Sequence, residues 1–312
     1  MYFENIKGQE FAKKYMRNSI NNGKINHAYM FEGIEGIGKG TFADELARIL
    51  LETSNLENAP DCIRVKPDGN SIKIVQIRNL QADIVIKPHK KYKIYIIDKA
   101  EKMTVESQNA LLKTLEEPPE YAIIILVTNN KEGLLPTIRS RCEIIKFTPI
   151  PFIEMKNYLI SQGIDSNRAN LLSSFSRGSM KKALELASSN EFYEMKENVE
   201  KYIDVILSKN MVEILDIPTQ MEQYKSEVIN VLDMMINYFR DIMICKENVD
   251  KSMIINADKL VFVQNMSSKI TYSQVSKIID IIEDTKTKIK GNCNFNLSIQ
   301  VMSLNIYEVI KR

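Results

Sequence analysis

The sequence predicts an α/β P-loop domain built on a parallel sheet, followed by a small three-helix domain and then an all-α domain. Three observations carry this. Strand-like apolar runs alternate with helical patterns as far as about residue 149, the order that a doubly wound parallel sheet requires. A glycine-rich stretch, Gly33-Ile34-Glu35-Gly36-Ile37-Gly38-Lys39-Gly40-Thr41, lies between an apolar run and a helical pattern, the setting of a phosphate-binding loop. Beyond Thr148-Pro149-Ile150-Pro151 strand signals cease and the pattern is helical to the end. The boundaries expected are 1–149, 150–189 and 190–312.

Element by element, Phe11, Tyr15, Met16, Ser19 and Ile20 keep helical spacing up to Asn22-Gly23. Ala28-Tyr29-Met30-Phe31 is the strand before the glycine loop, and Phe42 to Leu50 continues as a helix. Ala59-Pro60-Asp61 and Lys66-Pro67-Asp68-Gly69-Asn70 read as loop and turn. Ser71 to Ile74 reads as a short strand and Val75 to about Ile86 as a helix. Lys93-Ile94-Tyr95-Ile96-Ile97-Asp98 and Tyr121 to Val127 are near-continuous apolar runs, suited to strands buried on both faces. Between them, Thr104 to Glu117 reads as a helix with Ala110, Leu111, Leu112 and Leu115 inward, stopped by Pro118-Pro119. Leu134 to Arg139 is helical and Cys142 to Phe147 a last strand. Helices are then expected near 152–162, 166–175, 179–188, 192–208, 211–216, 224–245, a broken segment 252–266, 272–290 and 297–311, with Ser267-Ser268-Lys269 and Lys290-Gly291-Asn292 as loops. Val228, Leu232, Met235, Phe239 and Ile242 form the buried stripe of one tail helix, and Met234 and Met243 are candidates for an adaptable interface.

Composition narrows the function classes. The 312 residues are 44% apolar and 26% charged, ordinary for a globular protein. A net charge of +2, from 42 basic and 40 acidic residues, carries no chain-wide nucleic-acid signature, so DNA contact would be local. Lys99, Lys102, Arg139 and Lys146 are candidates for it, with solvated charge as the default reading. No apolar run approaches the ~20 residues of a membrane helix, and Met1-Tyr2-Phe3-Glu4 does not begin a signal peptide. A cytoplasmic location with no membrane partner is the expectation. Cys62, Cys142, Cys245 and Cys293 are scattered without a C-x-x-C pair and read as free thiols. With His27 and His89 the only histidines, imidazole catalysis is poorly supplied.

The glycine loop is the candidate site. Gly33, Gly36 and Gly38 let backbone N–H groups close around phosphate oxygens, and Lys39 is placed to reach the β/γ-phosphates. The next position should carry the hydroxyl that holds Mg²⁺, and here it is Gly40. Thr41 is one helical step further, a turn of about 100°. Asp98, after the Ile94–Ile97 run, reads either as the acid that contacts Mg²⁺ or as a strand-end carboxylate capping a turn. Lys99 follows where a hydrolase would carry a water-orienting Glu, and an ammonium cannot accept a proton at neutral pH. Asn129 reads either as a polar tip facing the same pocket or as a turn former. Arg141 on its own reads as a surface charge.

These residues resemble the clamp-loader branch of the AAA+ proteins. The likeness lies in Phe3 to Glu10 (a Gly-Gln box), Asn26 to Gly33 (a His-Ala-Tyr lead) and Asn109-Ala110-Leu111-Leu112-Lys113-Thr114-Leu115-Glu116-Glu117-Pro118-Pro119. It extends to Ser140-Arg141-Cys142 (an arginine-finger motif) and Arg177 to Leu184 (a sensor-2 segment). The matches span residues 3 to 184, and the helical remainder fits the family's collar by length and pattern only. Ala59-Pro60-Asp61 with Ser71 to Arg78 further resembles a non-hydrolysing subunit of the bacterial DNA polymerase III loader.

The resemblance implies an AAA+ RecA-like sheet domain, a three-helix lid and an all-α oligomerisation collar. It implies a non-catalytic stator within a hetero-pentamer of tau/gamma and delta subunits, acting on the sliding clamp indirectly and on primer–template DNA, at the replisome. Arg141 would then be a trans arginine finger in the neighbour's ATP site. Motor relatives keep Lys-Thr, Asp-Glu and a sensor-2 Arg where this chain has Lys39-Gly40, Asp98-Lys99 and Lys181. The pocket of Gly33, Gly36, Gly38, Lys39, Gly40, Thr41, Asp98, Asn129 and Lys181 is therefore expected to be degenerate, needing no cofactor. Weak ATP or ADP binding without metal stays open. Relatives carry a four-Cys module after the loop helix; Cys62 alone cannot make a tetrahedral site, so no structural zinc is expected. The alternatives are an ATP-hydrolysing subunit or other AAA+ ATPase, with Thr41 and a carboxylate such as Glu101 rescuing the site, and a small-molecule P-loop kinase.

Overall fold

In the computed structural model, which describes residues 2–208, 210–247 and 254–311, five strands pair in parallel. They are β1 (Ala28–Glu32), β2 (Cys62–Val65), β3 (Lys93–Asp98), β4 (Ala122–Thr128) and β5 (Glu143–Lys146), in the order β2-β3-β4-β1-β5. Isoleucine-rich β3 and β4 are buried along almost their whole length, as a sheet covered on both faces requires. Side chains alternate between two cores. Tyr29, Phe31, Ile96 and Ile125 pack with α1 (Glu10–Asn21) and α2 (Lys39–Leu51). Met30, Tyr95, Ile97 and Leu126 pack with α3 (Ile74–Ile84) and α4 (Val105–Glu116). A short α5 (Pro136–Arg139) precedes β5.

Register sets the site. Glu32 lies opposite Thr128 and Asp98 opposite Val127, so β1, β3 and β4 end level. The turns that begin with Gly33, Lys99 and Asn129 thus emerge together at the carboxyl edge, where open α/β sheets bind ligands.

Two local elements differ from the expectation. The second strand is Cys62–Val65, inside the stretch that reads as loop, and Ser71–Ile74 is not a strand. Arg64 interrupts the short apolar run of β2 and hides it, although parallel pairing with β3 fixes it in place. Ile72 forms only an isolated bridge with Met103; its side chain is fully buried, and α3 begins at Ile74.

Beyond the sheet come α6 (Phe152–Ser161), α7 (Ser166–Ser176), α8 (Met180–Ser188), α9 (Asn190–Ser208), α10 (Met211–Met221), α11 (Val228–Lys246), α12 (Leu260–Lys269), α13 (Tyr272–Lys290) and α14 (Phe295–Lys311). Packing groups Met1–Ser161 with Phe175–Leu184 as one compact unit, and Gln162–Ser174 with Glu185–Arg312 as the other. In the second unit α11 packs against α9, α12 and α13, while α14 packs against α9, α10 and α13. Val228, Leu232, Met235, Phe239 and Ile242 are its buried stripe, as the spacing predicts. Met234 is buried too, so it belongs to the bundle core and not to an exposed interface. Helix α10 continues past Asp216 through Pro218. Helix α12 begins later than expected and includes Ser267-Ser268-Lys269, where the Ser267 and Ser268 hydroxyls donate to the Gln264 and Asn265 carbonyls. That back-bonding keeps serine inside a helix at a position that reads as a break. The first residues expected in that helix, Ser252 and Met253, lie outside the described residues.

Asp241 of α11 is the polar pin of this bundle. It is fully buried, and its carboxylate accepts from the Ile255 N–H (2.9 Å), the Asn256 N–H (2.8 Å) and Asn256 Nδ2 (2.8 Å). Asp241→Ala would leave those donors without an acceptor. A loss on the order of 3 kcal/mol is expected, read as a lower denaturant midpoint at unchanged slope.

Candidate functional site

A cleft of about 1160 Å³ lies at the carboxyl edge of the sheet, entirely within the first unit. The glycine loop, Arg64, Asp98, Lys99, Asn129 and Lys181 are among the residues lining it. Gly36 (φ +80) and Gly38 (φ +98) take left-handed backbone conformations, and Gly38 is the N-cap of α2. Lys39 then begins the helix, 4% exposed. Its Nζ donates to the carbonyls of Gly33 (2.6 Å) and Ile34 (2.7 Å) and to Asn129 Oδ1 (2.9 Å). An ammonium has three donors, and all three are taken by the chain itself. Burial pulls the Lys39 pKa down to about 8, against the pull of Glu101 and Glu35.

Three contacts clamp the loop. Gln9 Nε2 donates to the carbonyls of Ile37 (3.3 Å) and Thr148 (2.8 Å), and its Oε1 accepts from the Thr148 N–H (3.0 Å). That explains physically why a glutamine stands in the Gly-Gln box. Gly178 (φ +80) leaves no room for a side chain: a Cβ would come within 2.5 Å of Pro149 Cβ, and Ile150 N–H donates to the Gly178 carbonyl. The turn it makes brings the start of α8 onto the loop. There the Lys181 N–H donates to the Gly36 carbonyl (3.1 Å), and a Cβ on Gly36 would strike Ser179 Oγ and lie 2.8 Å from Lys181 Cβ.

Five charged groups of the cleft, Arg64, Asp98, Glu35, Lys99 and Lys181, are held in ion pairs. Arg64 Nη1 binds Asp98 Oδ2 at 2.7 Å, and its Nη2 binds Asp44 of α2. Glu35 Oε1 bridges Lys99 (3.4 Å) and Lys181 (3.5 Å). The neighbouring Lys99 and Lys181 ammoniums hold the Glu35 carboxyl below its ordinary range, Lys99 first, against the opposing effect of burial. Glu101, the carboxylate that could have substituted for a general base, accepts from Thr128 Oγ1 (2.8 Å) and the Asn129 N–H (3.3 Å) and does not line the cleft. The residues do not fit a magnesium ion. Gly40 has no hydroxyl, and Asp98 Oδ2 already accepts from a guanidinium.

Gly36, Gly38, Lys39, Gly40, Thr41, Asp98, Asn129 and Lys181 are thus brought to one cleft, with Gly33 behind it as an acceptor for Lys39. Arg141 is elsewhere. It follows α5, half-exposed, and its guanidinium contacts Glu116 Oε1 (2.8 Å) and the Thr137 carbonyl (3.0 Å). Of the basic residues considered for DNA, Lys99 is held by Glu35 and Arg139 by Glu132, Lys102 lines the cleft, and Lys146 is exposed on β5. Sequence reasoning missed Arg64 and Glu35. Arg64 is hidden because β2 is, and Glu35 sits at an unconstrained position of the loop motif. Among the described residues no helix is long and apolar enough to cross a membrane.

Residues 8–151 match the family described as DNA polymerase III, delta subunit, and residues 190–306 its C-terminal counterpart. The chain is 30% identical to DNA polymerase III subunit delta' of Bacillus subtilis, over 96% of each chain. It is 25% identical to DNA polymerase III subunit tau of the same organism, over 97% of this chain and 61% of that one. Among solved structures it is similar to a DNA polymerase III gamma subunit-related protein of Thermotoga maritima, with 20% identity, a TM-score of 0.47 and coverage of 97% and 100%.

Proposed function

Because the chain belongs to the delta-prime family of DNA polymerase III clamp-loader subunits, we propose that it is the stator of its complex and hydrolyses no ATP itself. In this reading it joins tau/gamma-type and delta subunits in a hetero-pentamer, through a collar formed by residues 190–312, and acts indirectly on the sliding clamp and directly on primer–template DNA. Arg141 reaches into the ATP site of the adjoining motor subunit.

The observation that carries the reading is the internal pairing of the cleft. Asp98 is held by Arg64, Lys99 and Lys181 by Glu35, and Lys39 by Asn129 and two carbonyls. Gly40 offers no hydroxyl ligand, and the carboxylates Asp98 and Glu35 are each engaged by a cation, so neither stands as a free base for water. Arg141, by contrast, is outside its own cleft and held by a half-exposed ion pair. Such pairs contribute about 0–1 kcal/mol, so a neighbour's phosphates outcompete Glu116 easily.

The reading is tested by adding the chain to purified motor and delta subunits. The expected result is a complex whose ATP turnover rises well above that of the motor subunits alone. Turnover that does not respond to the chain would overturn it.

A further inference from the structure

We propose that the cleft is a metal-independent polyphosphate site, in which the Arg64 guanidinium is a built-in cation standing where a P-loop protein holds its divalent ion. This rests on the reading of the cleft as non-hydrolysing and goes beyond it by naming the ligand form it accepts.

A Cβ built on Gly40 would lie 4.0 Å from Asp98 Oδ1. The residue that should supply the metal's hydroxyl ligand therefore does face the carboxylate that should sit beside the metal. The frame of a metal site is intact, and its chemistry has been replaced. Arg64 enters from β2, and its two terminal nitrogens engage Asp98 and Asp44. A planar guanidinium forked between two carboxylates is fixed in direction, permanently charged and reluctant to leave. A divalent ion arriving at Asp98 would find Oδ2 already taken by Arg64 and meet a positive charge at close range.

The charge of the cleft points the same way. Seven lining residues are Lys or Arg and two are carboxylates. Such a wall attracts the most highly charged form of a phosphate chain, which is the unchelated one, since bound Mg²⁺ cancels two of its charges. To admit it, Lys39 must exchange Asn129 and the loop carbonyls for phosphate oxygens, and Lys99 and Lys181 must exchange Glu35. Each exchange replaces one anionic or dipolar partner by another, so the cations are never left without one.

The test is a binding titration of the whole chain with ATP and with pyrophosphate, in EDTA and in excess Mg²⁺. For the native chain, binding in EDTA is expected to be as tight as in Mg²⁺ or tighter, and pyrophosphate is expected to compete with ATP. In the double variant Gly40→Thr, Arg64→Ser, which restores a hydroxyl and frees Asp98, Mg²⁺ is expected to tighten ATP binding about tenfold, or about 1.4 kcal/mol. A melting curve checks that the variant is folded, and the native titration stands without it. Tighter binding of ATP by the native chain in Mg²⁺ overturns the proposal, and so does the absence of binding in both media. Neither result touches the stator reading, which fails only on ATP turnover.

Discussion

Arg141→Ala is expected to lower the ATP turnover of the reconstituted complex on the order of 10³-fold, the usual worth of an arginine finger. Charge spreading over the γ-phosphate oxygens in the transition state is what a guanidinium offsets, so the loss should fall on kcat with little change in KM. The chain itself should tolerate the change. Arg141 is held by Glu116 at 2.8 Å and by the Thr137 carbonyl, both at a half-exposed position, and surface pairs of this kind contribute about 0–1 kcal/mol. Unaltered assembly by size exclusion, together with lost turnover, separates a catalytic role from a structural one. Arg141→Lys should recover little, because an ammonium lacks the planar fork. Unchanged turnover in Arg141→Ala would defeat the finger.

Phe42→Ala should bring the largest loss of stability, about 3–5 kcal/mol. Phe42 is fully buried in the first turn of α2 and stacks on Phe3 with ring centroids 4.5 Å apart and planes 5° from parallel. Phe31 and Phe147 meet it edge-on at 5.6 and 5.2 Å. Truncation removes the ring, leaves a cavity among three other aromatics, and forfeits pair geometry worth about 0.5–1.5 kcal/mol per contact. The damage should spread to the site, since Phe42 lies one turn from Lys39 and the N-terminal segment is anchored through Phe3. The check is chemical denaturation of Phe42→Ala beside Phe42→Leu, which retains most of the volume. Alanine should cost clearly more than leucine, and equal costs would contradict the packing account.

The glycine loop, the buried strands β3 and β4 and the Asp98 and Asn129 strand ends could all be read from residue patterns, because each is local. Apolar runs of isoleucine and valine have few alternatives to a doubly covered strand. What could not be read depends on partners far apart in the chain. Arg64 meets Asp98 across 34 positions, and Glu35 meets Lys181 across 146. Neither pairing leaves a periodic trace. β2 is illegible for the related reason that its internal charge, Arg64, which breaks the apolar pattern, is a site residue. The failures at Ser71–Ile74 and Ser267–Lys269 are tertiary and local respectively. Burial of Ile72 needs an extended residue without a strand, and back-bonded hydroxyls let serine continue a helix. In this cleft the departures Gly40, Lys99 and Lys181 are visible one at a time, but the pairing of Lys99 and Lys181 with Glu35 needs the fold.

The central claim is that the chemistry served by this chain takes place in the next subunit. Steady-state ATP turnover of the purified chain alone, with Mg²⁺ present, tests it most directly. The account predicts no phosphate release above the protein-free blank at any ATP concentration. Turnover that scales with the chain and disappears in Lys39→Ala would contradict it.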